Sequence, residues 1–266
     1  MRLGLSSWTY SWNIGVPGYP APQNPMTAMD LLCKAHELGV QVLQIADNLP
    51  LEALSTEELD ALAAQAKAWN IEIEAGTRGV QPHKLIPSLD IAVRLNAKLV
   101  RTLLHDADGC PTVEKARENL LTILPELEKR GLTLGVENHD FFHTLQIREL
   151  IESLHSDRIG VCLDPVNNFA QGESTQEVLC NLGKLTVNFH CKDYTIHRKS
   201  SNLGFDVEGT PTGEGMLDVP RCRKYLQDDM SCVVELWTPW QNDPDITAQV
   251  EADWAERSVH YLNTIL

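Results

Sequence analysis

Cysteine pairing is the first thing this chain lacks. Cys33, Cys110, Cys162, Cys180, Cys191, Cys222 and Cys232 are odd in number, and no two stand in Cys-x-x-Cys spacing. That argues against a disulfide framework and against a zinc ribbon. Free thiols suit a reducing compartment, so a cytoplasmic location is expected. Basic charge is scarce as well: 22 Lys and Arg stand against 37 Asp and Glu, for a net charge of −15. Such a surface repels phosphate backbones and anionic lipid, so no nucleic acid and no membrane is expected as a partner. No run is apolar enough to cross a bilayer. Met1-Arg2-Leu3-Gly4-Leu5-Ser6-Ser7-Trp8 lacks the apolar stretch of a signal peptide. There is also no linker, low-complexity tract or shift in composition to divide the chain, so a single domain over 1–266 is expected.

What is present is a repeated strand-loop-helix pattern from end to end. Strands are predicted near Arg2–Ser7, Val40–Ile45, Ile71–Ala75, Leu99–Leu104, Leu132–Glu137, Gly160–Asp164, Thr186–His190 and Ser231–Leu236. Helices are predicted between and after them at Met26–Leu38, Thr56–Trp69, Leu85–Leu95, Thr112–Arg130, Thr144–Leu154, Thr175–Asn181, Val219–Gln227 and Thr247–Leu262. Ser55-Thr56-Glu57-Glu58 reads as a capped helix start. Gly39 and Gly131 follow helices, where a left-handed cap favours glycine. Eight alternating units predict an α/β fold, a closed (β/α)8 TIM barrel. Two connections exceed the usual short loop: Trp8–Pro25, with Trp8, Tyr10, Trp12 and Tyr19, and Lys192–Leu217, rich in charge and glycine. Both leave the barrel at its C-terminal rim and read as irregular lids or binding loops.

Four of the later strands end on a side chain of metal-ligand type. Leu134-Gly135-Val136-Glu137, Gly160-Val161-Cys162-Leu163-Asp164, Thr186-Val187-Asn188-Phe189-His190 and Cys232-Val233-Val234-Glu235 are apolar runs that open into loops at the ligand. In a closed barrel those four side chains converge at one rim, where active sites of this architecture lie. Three adjacent carboxylates repel one another unless a cation lies between them. One such residue alone is more often a salt bridge or a surface group; four on the last four strands are not easily explained that way. Glu137, Asp164, His190 and Glu235 are oxygen-rich, which suits one divalent cation of the Mn²⁺, Mg²⁺ or Co²⁺ kind. Two open positions on such an ion would take the adjacent oxygens of a hydroxy-ketone. The ion would then act as a Lewis acid and support an enediolate.

On Val136-Glu137-Asn138-His139, Leu163-Asp164-Pro165-Val166-Asn167, Phe189-His190-Cys191-Lys192-Asp193, Gly213-Glu214-Gly215 with Asp218, and Glu235, the chain resembles the xylose isomerase-like TIM-barrel family of sugar (phosphate) isomerases and epimerases. The resemblance covers essentially the whole chain. It implies that Glu137, Asp164, His190 and Glu235 bind a divalent cation, manganese most often. It also implies that Glu137 and Glu235 are catalytic and exchange protons on opposite faces of the substrate. Ketose 3-epimerases of the family carry a His where this chain has Asn167 and a Glu where it has His143, and both changes weaken the case for a simple ketose epimerase. Gly204–Pro211 and Glu235-Leu236-Trp237-Thr238-Pro239 resemble a subgroup that includes decarboxylases of branched 3-oxo sugar acids, acting on 3-oxo-isoapionate.

The other candidates are substrate-binding. Lys192 follows the His ligand and is placed to hold a substrate oxygen or act as an acid, against the alternative of an internal ion pair. Arg198, in His197-Arg198-Lys199, and Arg78, in Gly76-Thr77-Arg78-Gly79, could each clamp a carboxylate or phosphate, or simply be solvated or salt-bridged. His139 is a candidate to orient Glu137 or touch substrate. Asn167 suits a sugar hydroxyl, or caps the next helix. Trp8 and Trp237 are candidate apolar walls. The leading expectation is a metal-dependent isomerase or epimerase of a small sugar or sugar acid. A lyase (a decarboxylase of a 3-oxo sugar acid, or a dehydratase) through the same enediolate comes next. An endonuclease of the same barrel type comes third, disfavoured by the acidic charge. The expected partner is a small-molecule carbohydrate, with a homo-oligomer left open.

Overall fold

Residues 1–266 are described here by a computed structural model. The chain forms ten strands: β1 (Arg2–Ser6), β2 (Val42–Ile45), β3 (Glu72–Gly76), β4 (Leu99–Thr102), β5 (Thr133–Glu137), β6 (Ile159–Leu163), β7 (Thr186–Cys191), β8 (Tyr194–Arg198), β9 (Phe205–Gly209) and β10 (Ser231–Val234). β1 to β7 and β10 form a closed barrel of parallel strands in chain order. β10 closes it against β1, pairing Cys232 with Leu3 and Val234 with Leu5. These are the eight strands that the alternating pattern predicts.

The helices are α1 (Ser11–Ile14), α2 (Ala28–Glu37), α3 (Thr56–Ala68), α4 (Pro82–Arg94), α5 (Val113–Arg130), α6 (Thr144–Glu152), α7 (Thr175–Leu182), α8 (Val219–Arg223) and α9 (Pro244–Ile265). Ser55 and Glu58 form the reciprocal cap expected at the start of α3. Gly131 caps α5 at φ 66°. Gly39 takes φ 68° after α2. No helix is long and apolar enough to cross a membrane.

Strand side chains alternate between two very different environments, as the pleat requires. One set, with Leu5, Leu43, Ile45, Val100, Leu134, Val136, Val161, Leu163 and Phe189, packs outward against Leu31, Leu62, Leu89, Leu120, Ile147 and Leu262 of the helices. The other set points into the lumen and is mostly polar: Gln44, Glu74, Arg101, Glu137, Cys162, Asn188, His190 and Ser231 are all buried there, beside Val42 and Val233. Barrels of this kind are usually filled by branched aliphatic residues. Here apolar burial is carried by the layer between strands and helices, and the lumen is left to chemistry.

Both long connections contain regular structure, contrary to the expectation of irregular loops. After β1, a short 3-10 helix (Ser7–Tyr10) runs into α1. That segment is tied down by Glu251 of α9, whose carboxylate accepts from Trp12 N at 2.9 Å and from Asn13 N and Nδ2 at 3.0 Å each. After β7, Tyr194 to Gly209 fold into an antiparallel hairpin with Ile196 opposite Val207 and Arg198 opposite Phe205. The alternation of β-branched and aromatic residues in Tyr194-Thr195-Ile196 and Phe205-Asp206-Val207 explains it. Asp193 fixes the end of the hairpin, accepting from the amides of Tyr194 at 2.8 Å, Gly213 at 2.9 Å, Gly215 at 3.0 Å and Leu217 at 2.9 Å. A Cβ on Gly215 would collide with Asp193 and with the Tyr194 carbonyl, so this position needs glycine.

Burial pushes the Glu251 carboxyl up from 4.5 to about 7. Between those values the native chain holds a proton that the unfolded chain has lost, so this group's contribution to stability falls as pH rises across that window. Glu251→Gln keeps an acceptor for Trp12 and Asn13 but cannot ionise. The difference in unfolding free energy between Glu251→Gln and the parent should shift in favour of the variant from pH 4.5 to pH 7, by about 3 kcal/mol at one pKa unit per 1.36 kcal/mol. Urea titrations across that range check this.

Candidate metal centre

Strand geometry brings the four predicted ligands together. Glu137 is the last residue of β5, His190 lies next to the end of β7, and Asp164 and Glu235 each stand one residue past β6 and β10. One ligand atom from each lies within 4.8 Å of the others, and all four residues are buried. His190 Nδ1 faces Glu235 Oε1 at 3.3 Å and Glu137 Oε2 at 3.6 Å. His190 Nδ1 and Asp164 Oδ2 are buried without any hydrogen bond. A buried polar atom without a hydrogen bond is costly, and the Nδ1 of His190, facing three carboxylates of which Asp164 Oδ2 is held only by an ion pair to Lys192, fits a cation bound there.

The remaining oxygens hold the set in place. Asp164 Oδ1 accepts from the amides of Val166 at 2.8 Å and Asn167 at 3.1 Å. Glu137 Oε1 accepts from Asn167 Nδ2 at 2.8 Å. Glu235 Oε1 accepts from Ser6 Oγ at 3.0 Å. Two buried cations neutralise the carboxylates. Arg101, 3% exposed at its side chain, reaches Glu137 Oε2 at 2.5 Å and Asp47 Oδ1 at 2.6 Å. Lys192 Nζ lies 2.7 Å from Asp164 Oδ2, an ion pair outside hydrogen-bond alignment, and 2.9 Å from Glu235 Oε2.

These pairings set the protonation states. Burial raises the Glu137 pKa, but Arg101, His190 and Lys192 outweigh it and hold the carboxyl well below its usual range. Burial likewise raises Glu235, and His190 and Lys192 bring it below the usual value. For Lys192 burial lowers the pKa, while Asp164, Glu235 and Glu137 more than reverse it. Burial also disfavours the charged form of His190, and Cys162, Glu235 and Glu137 lift it well above normal. Burial pushes the Cys162 thiol up to about 12.

A cavity of about 560 Å³ opens above the cluster. Six of the predicted substrate-binding side chains line it: Trp8, Arg78, His139, Asn167, Lys192 and Trp237. The structure does not bring the seventh there. Arg198 is exposed on the β8–β9 hairpin with its guanidinium 4.4 Å from the Phe205 ring centre. Its register opposite Phe205 points it at solvent, and the hairpin contributes Val207 to the cavity instead. Arg78 is already paired with Asp47 at 2.5 Å, yet its side chain stays 39% exposed. Lys192 Nζ also sits 5.0 Å from the centre of the Trp237 ring, within cation–π range.

Sequence reasoning missed Arg101 and Asp47. An arginine inside the apolar strand Leu99-Val100-Arg101-Thr102 was the available signal, because a buried guanidinium requires carboxylate partners.

Comparison with known proteins gives the same architecture. The xylose isomerase-like TIM barrel family matches residues 32–262. The chain belongs to this family. It is 32% identical to the 3-oxo-isoapionate decarboxylase of Pectobacterium atrosepticum over 99% of this chain and 96% of that protein. Among solved structures, D-psicose 3-epimerase in the presence of D-fructose superposes with a TM-score of 0.71 at 14% identity, over 99% of this chain and 98% of the other. A xylose isomerase-like TIM barrel protein of Mycobacterium smegmatis in complex with magnesium does so with a TM-score of 0.65 at 14% identity, over 98% and 97%. The IolI protein with a bound zinc atom gives 0.68 at 18% identity, over 98% and 99%. At those identities the superpositions speak to fold alone. The likeness to the decarboxylase makes the chain a relative of an enzyme, and the four-residue cluster is its candidate site for one metal ion.

Arg101→Met removes the only arginine contact of Glu137, leaving that buried carboxylate without its guanidinium and Asp47 with Arg78 alone. It should lower stability by about 3–5 kcal/mol, the cost of breaking a buried pair from one side. The urea unfolding midpoint of the variant beside the parent measures it.

Proposed function

We propose that this chain decarboxylates a 3-oxo sugar acid, with Glu137, Asp164, His190 and Glu235 holding one divalent cation, manganese being the best-fitting choice for an oxygen-rich set with one imidazole. The observation that carries the reading is the grip of Arg101 and Asn167 on Glu137. Epimerisation through two faces needs a free proton acceptor on each. Glu137 is committed to a guanidinium and an amide, which makes it a fixed anion rather than a base. Decarboxylation needs only one proton delivered to one face. The likeness to a 3-oxo-isoapionate decarboxylase over nearly the full length of both proteins supports the same choice.

When bound, the cation supplies Lewis-acid polarisation of a carbonyl oxygen. The residues do the rest. Breaking the bond between C2 and the carboxylate of a 3-oxo acid sends its electron pair into the C2–C3 enediolate and releases CO₂. Carbon 2 then takes a proton. Lys192 is the best-placed donor: it is buried, protonated, and held toward the cavity by Asp164 and Glu235. Glu235, hydrogen-bonded by Ser6 and paired with Lys192, keeps that ammonium in place, and the neutral amine left after the transfer takes its proton back from solvent. Arg78 retains free guanidinium surface for an anionic end of the substrate, and Trp8 Nε1, buried without a partner, is a donor for a hydroxyl. His139 and Trp237 complete the walls.

A second reading, an isomerase or epimerase through the same enediolate, rests on Glu137 and Glu235 both lining the cavity. The two separate cleanly in D₂O with Mn²⁺. Decarboxylation should release one CO₂ per 3-oxo sugar acid and place one deuteron in the product. Stripping the metal with a chelator should abolish this, and Mn²⁺ should restore it. Lys192→Met should lower kcat by about 10²–10⁴-fold, the usual contribution of a positioned acid. Ketose isomers and solvent exchange without CO₂ would select the second reading. Glu235→Gln with full activity and full Mn²⁺ affinity would remove both.

A further inference from the structure

Beneath the four ligands lies a chain of hydrogen bonds that the proposed reaction does not use. His190 Nε2, the ring nitrogen facing away from the cluster, lies 2.9 Å from Gln44 Oε1 and 3.0 Å from Cys162 Sγ. Gln44 Nε2 donates to Glu74 Oε2 at 3.0 Å and to Asn188 Oδ1 at 3.2 Å. Asn188 Nδ2 donates to the same Glu74 oxygen at 3.1 Å and to Ser231 Oγ at 2.7 Å. The Cys162 thiol donates to Asn188 Oδ1 at 2.7 Å. Glu74 Oε1 pairs with Ser231 Oγ. All six residues are buried, and Glu74 forms part of a separate cavity with Arg2 and Glu72, residues from the starts of β1 and β3.

We propose that Glu74 and Gln44 are positioning residues that keep the His190 proton on Nε2 and so present the Nδ1 lone pair to the cation. The proposal rests on the reading of the four side chains as a cation site. Its logic is one of donors and acceptors. An imidazole that binds a metal through one nitrogen carries its proton on the other, and the partner of that proton fixes both tautomer and ring orientation. Gln44 can serve as that partner only with its carbonyl oxygen toward His190. A flipped amide would set its oxygen against Glu74 Oε2 and Asn188 Oδ1, two acceptors, and lose two hydrogen bonds in a dry lumen. Each buried group left unmade in that way costs about 1–3 kcal/mol, enough to hold one orientation. Glu74 does this whether or not it is ionised. Its Oε2 accepts from both amides in the carboxylate and equally as the carbonyl oxygen of the neutral acid, whose proton then sits on Oε1 toward Ser231. Asn188, pinned by Ser231 and Cys162, blocks the alternative in which both amides rotate together.

Four proteins and one titration test this. Mn²⁺ is added to metal-free parent, Gln44→Met and Glu74→Met, with Glu74→Gln as the conservative rescue, since its amide oxygen can replace Oε2. Circular dichroism and unfolding midpoints of the metal-free forms identify any variant that has merely lost its fold. Gln44→Met and Glu74→Met should weaken Mn²⁺ binding about 10–100-fold, the usual effect of losing the group behind a metal-bound histidine. Glu74→Gln should bind close to the parent. Nitrogen NMR of the histidine-labelled parent with Zn²⁺ bound should place the His190 proton on Nε2, a readout indifferent to whether the variants fold. A proton on Nδ1 in the metal-bound parent, or a folded Gln44→Met with parental Mn²⁺ affinity, overturns the proposal while leaving the cation site intact. A parent that takes up no Mn²⁺ overturns the cation site itself and the proposal with it.

Discussion

Three carboxylates meeting inside a buried barrel mouth dictate what surrounds them. Glu137, Asp164 and Glu235 offer oxygens within 4.8 Å of one another. At an effective dielectric near 20, each like-charged pair at that separation costs about 3–4 kcal/mol. Three such pairs approach the whole stability of a typical domain, about 5–15 kcal/mol. Positive charge has to be built in, and it arrives from two strands: Arg101 on β4, His190 on β7 and Lys192 just beyond β7. The two cationic side chains divide the work. Arg101 is locked between Asp47 and Glu137, so its charge is permanent and structural. Lys192 bridges Asp164 and Glu235 from the cavity side, so it shares its partners with whatever cation or substrate enters.

A polar lumen is affordable only because it is nearly complete in its hydrogen bonding. Gln44, Glu74, Asn188, Ser231 and Cys162 satisfy one another across five strands. The close approach of strands also matters. A Cβ on Gly4 would meet Val42 and Val233, and one on Gly76 would meet Ala46, so small residues narrow the barrel where the polar groups must reach across. The apolar layer outside the strands supplies the favourable burial that the lumen gives up. Within the cluster, His190 Nδ1 and Asp164 Oδ2 make no hydrogen bond, and Asp164 Oδ2 meets only the Lys192 ammonium. Satisfaction of the polar groups beneath them in the lumen gives those two their meaning.

The barrel and the ligand quartet were legible because they are written in local patterns. Alternating apolar runs and amphipathic helices set the topology, and a ligand at the end of each of four strands can reach only one rim. What was hidden depends on partners far apart in sequence. Arg101 reads as an interruption in an apolar strand until Asp47 and Glu137 are seen around it, and Gln44 and Glu74 look like ordinary polar residues of half-buried strands. Arg198 was misleading for the opposite reason. A basic cluster in an acidic chain suggests anion binding, but its side chain direction is set by hairpin register, which composition does not reveal. The hairpin itself was hidden by the glycine and charge of Lys192–Leu217, although Ile196 and Val207 carried its alternation.

The motif His190-Cys191-Lys192-Asp193 joins two tasks that look separate in sequence. His190 and Lys192, two residues apart, face the cluster, whereas Asp193 turns away and binds four backbone amides at the foot of the hairpin and the following loop. Gly215 packs so tightly on Asp193 that no side chain fits between them. The loop and the ammonium are therefore coupled through a single peptide unit. A displacement of Gly213–Leu217 must move Asp193, and with it the backbone that aims Lys192 between Asp164 and Glu235. The glycines of that loop and the carboxylates of the barrel mouth constrain one another although no side chain of one touches the other. This explains why a His-x-Lys-Asp segment and a distant Gly-x-Gly segment mark this chain together when either alone would say little.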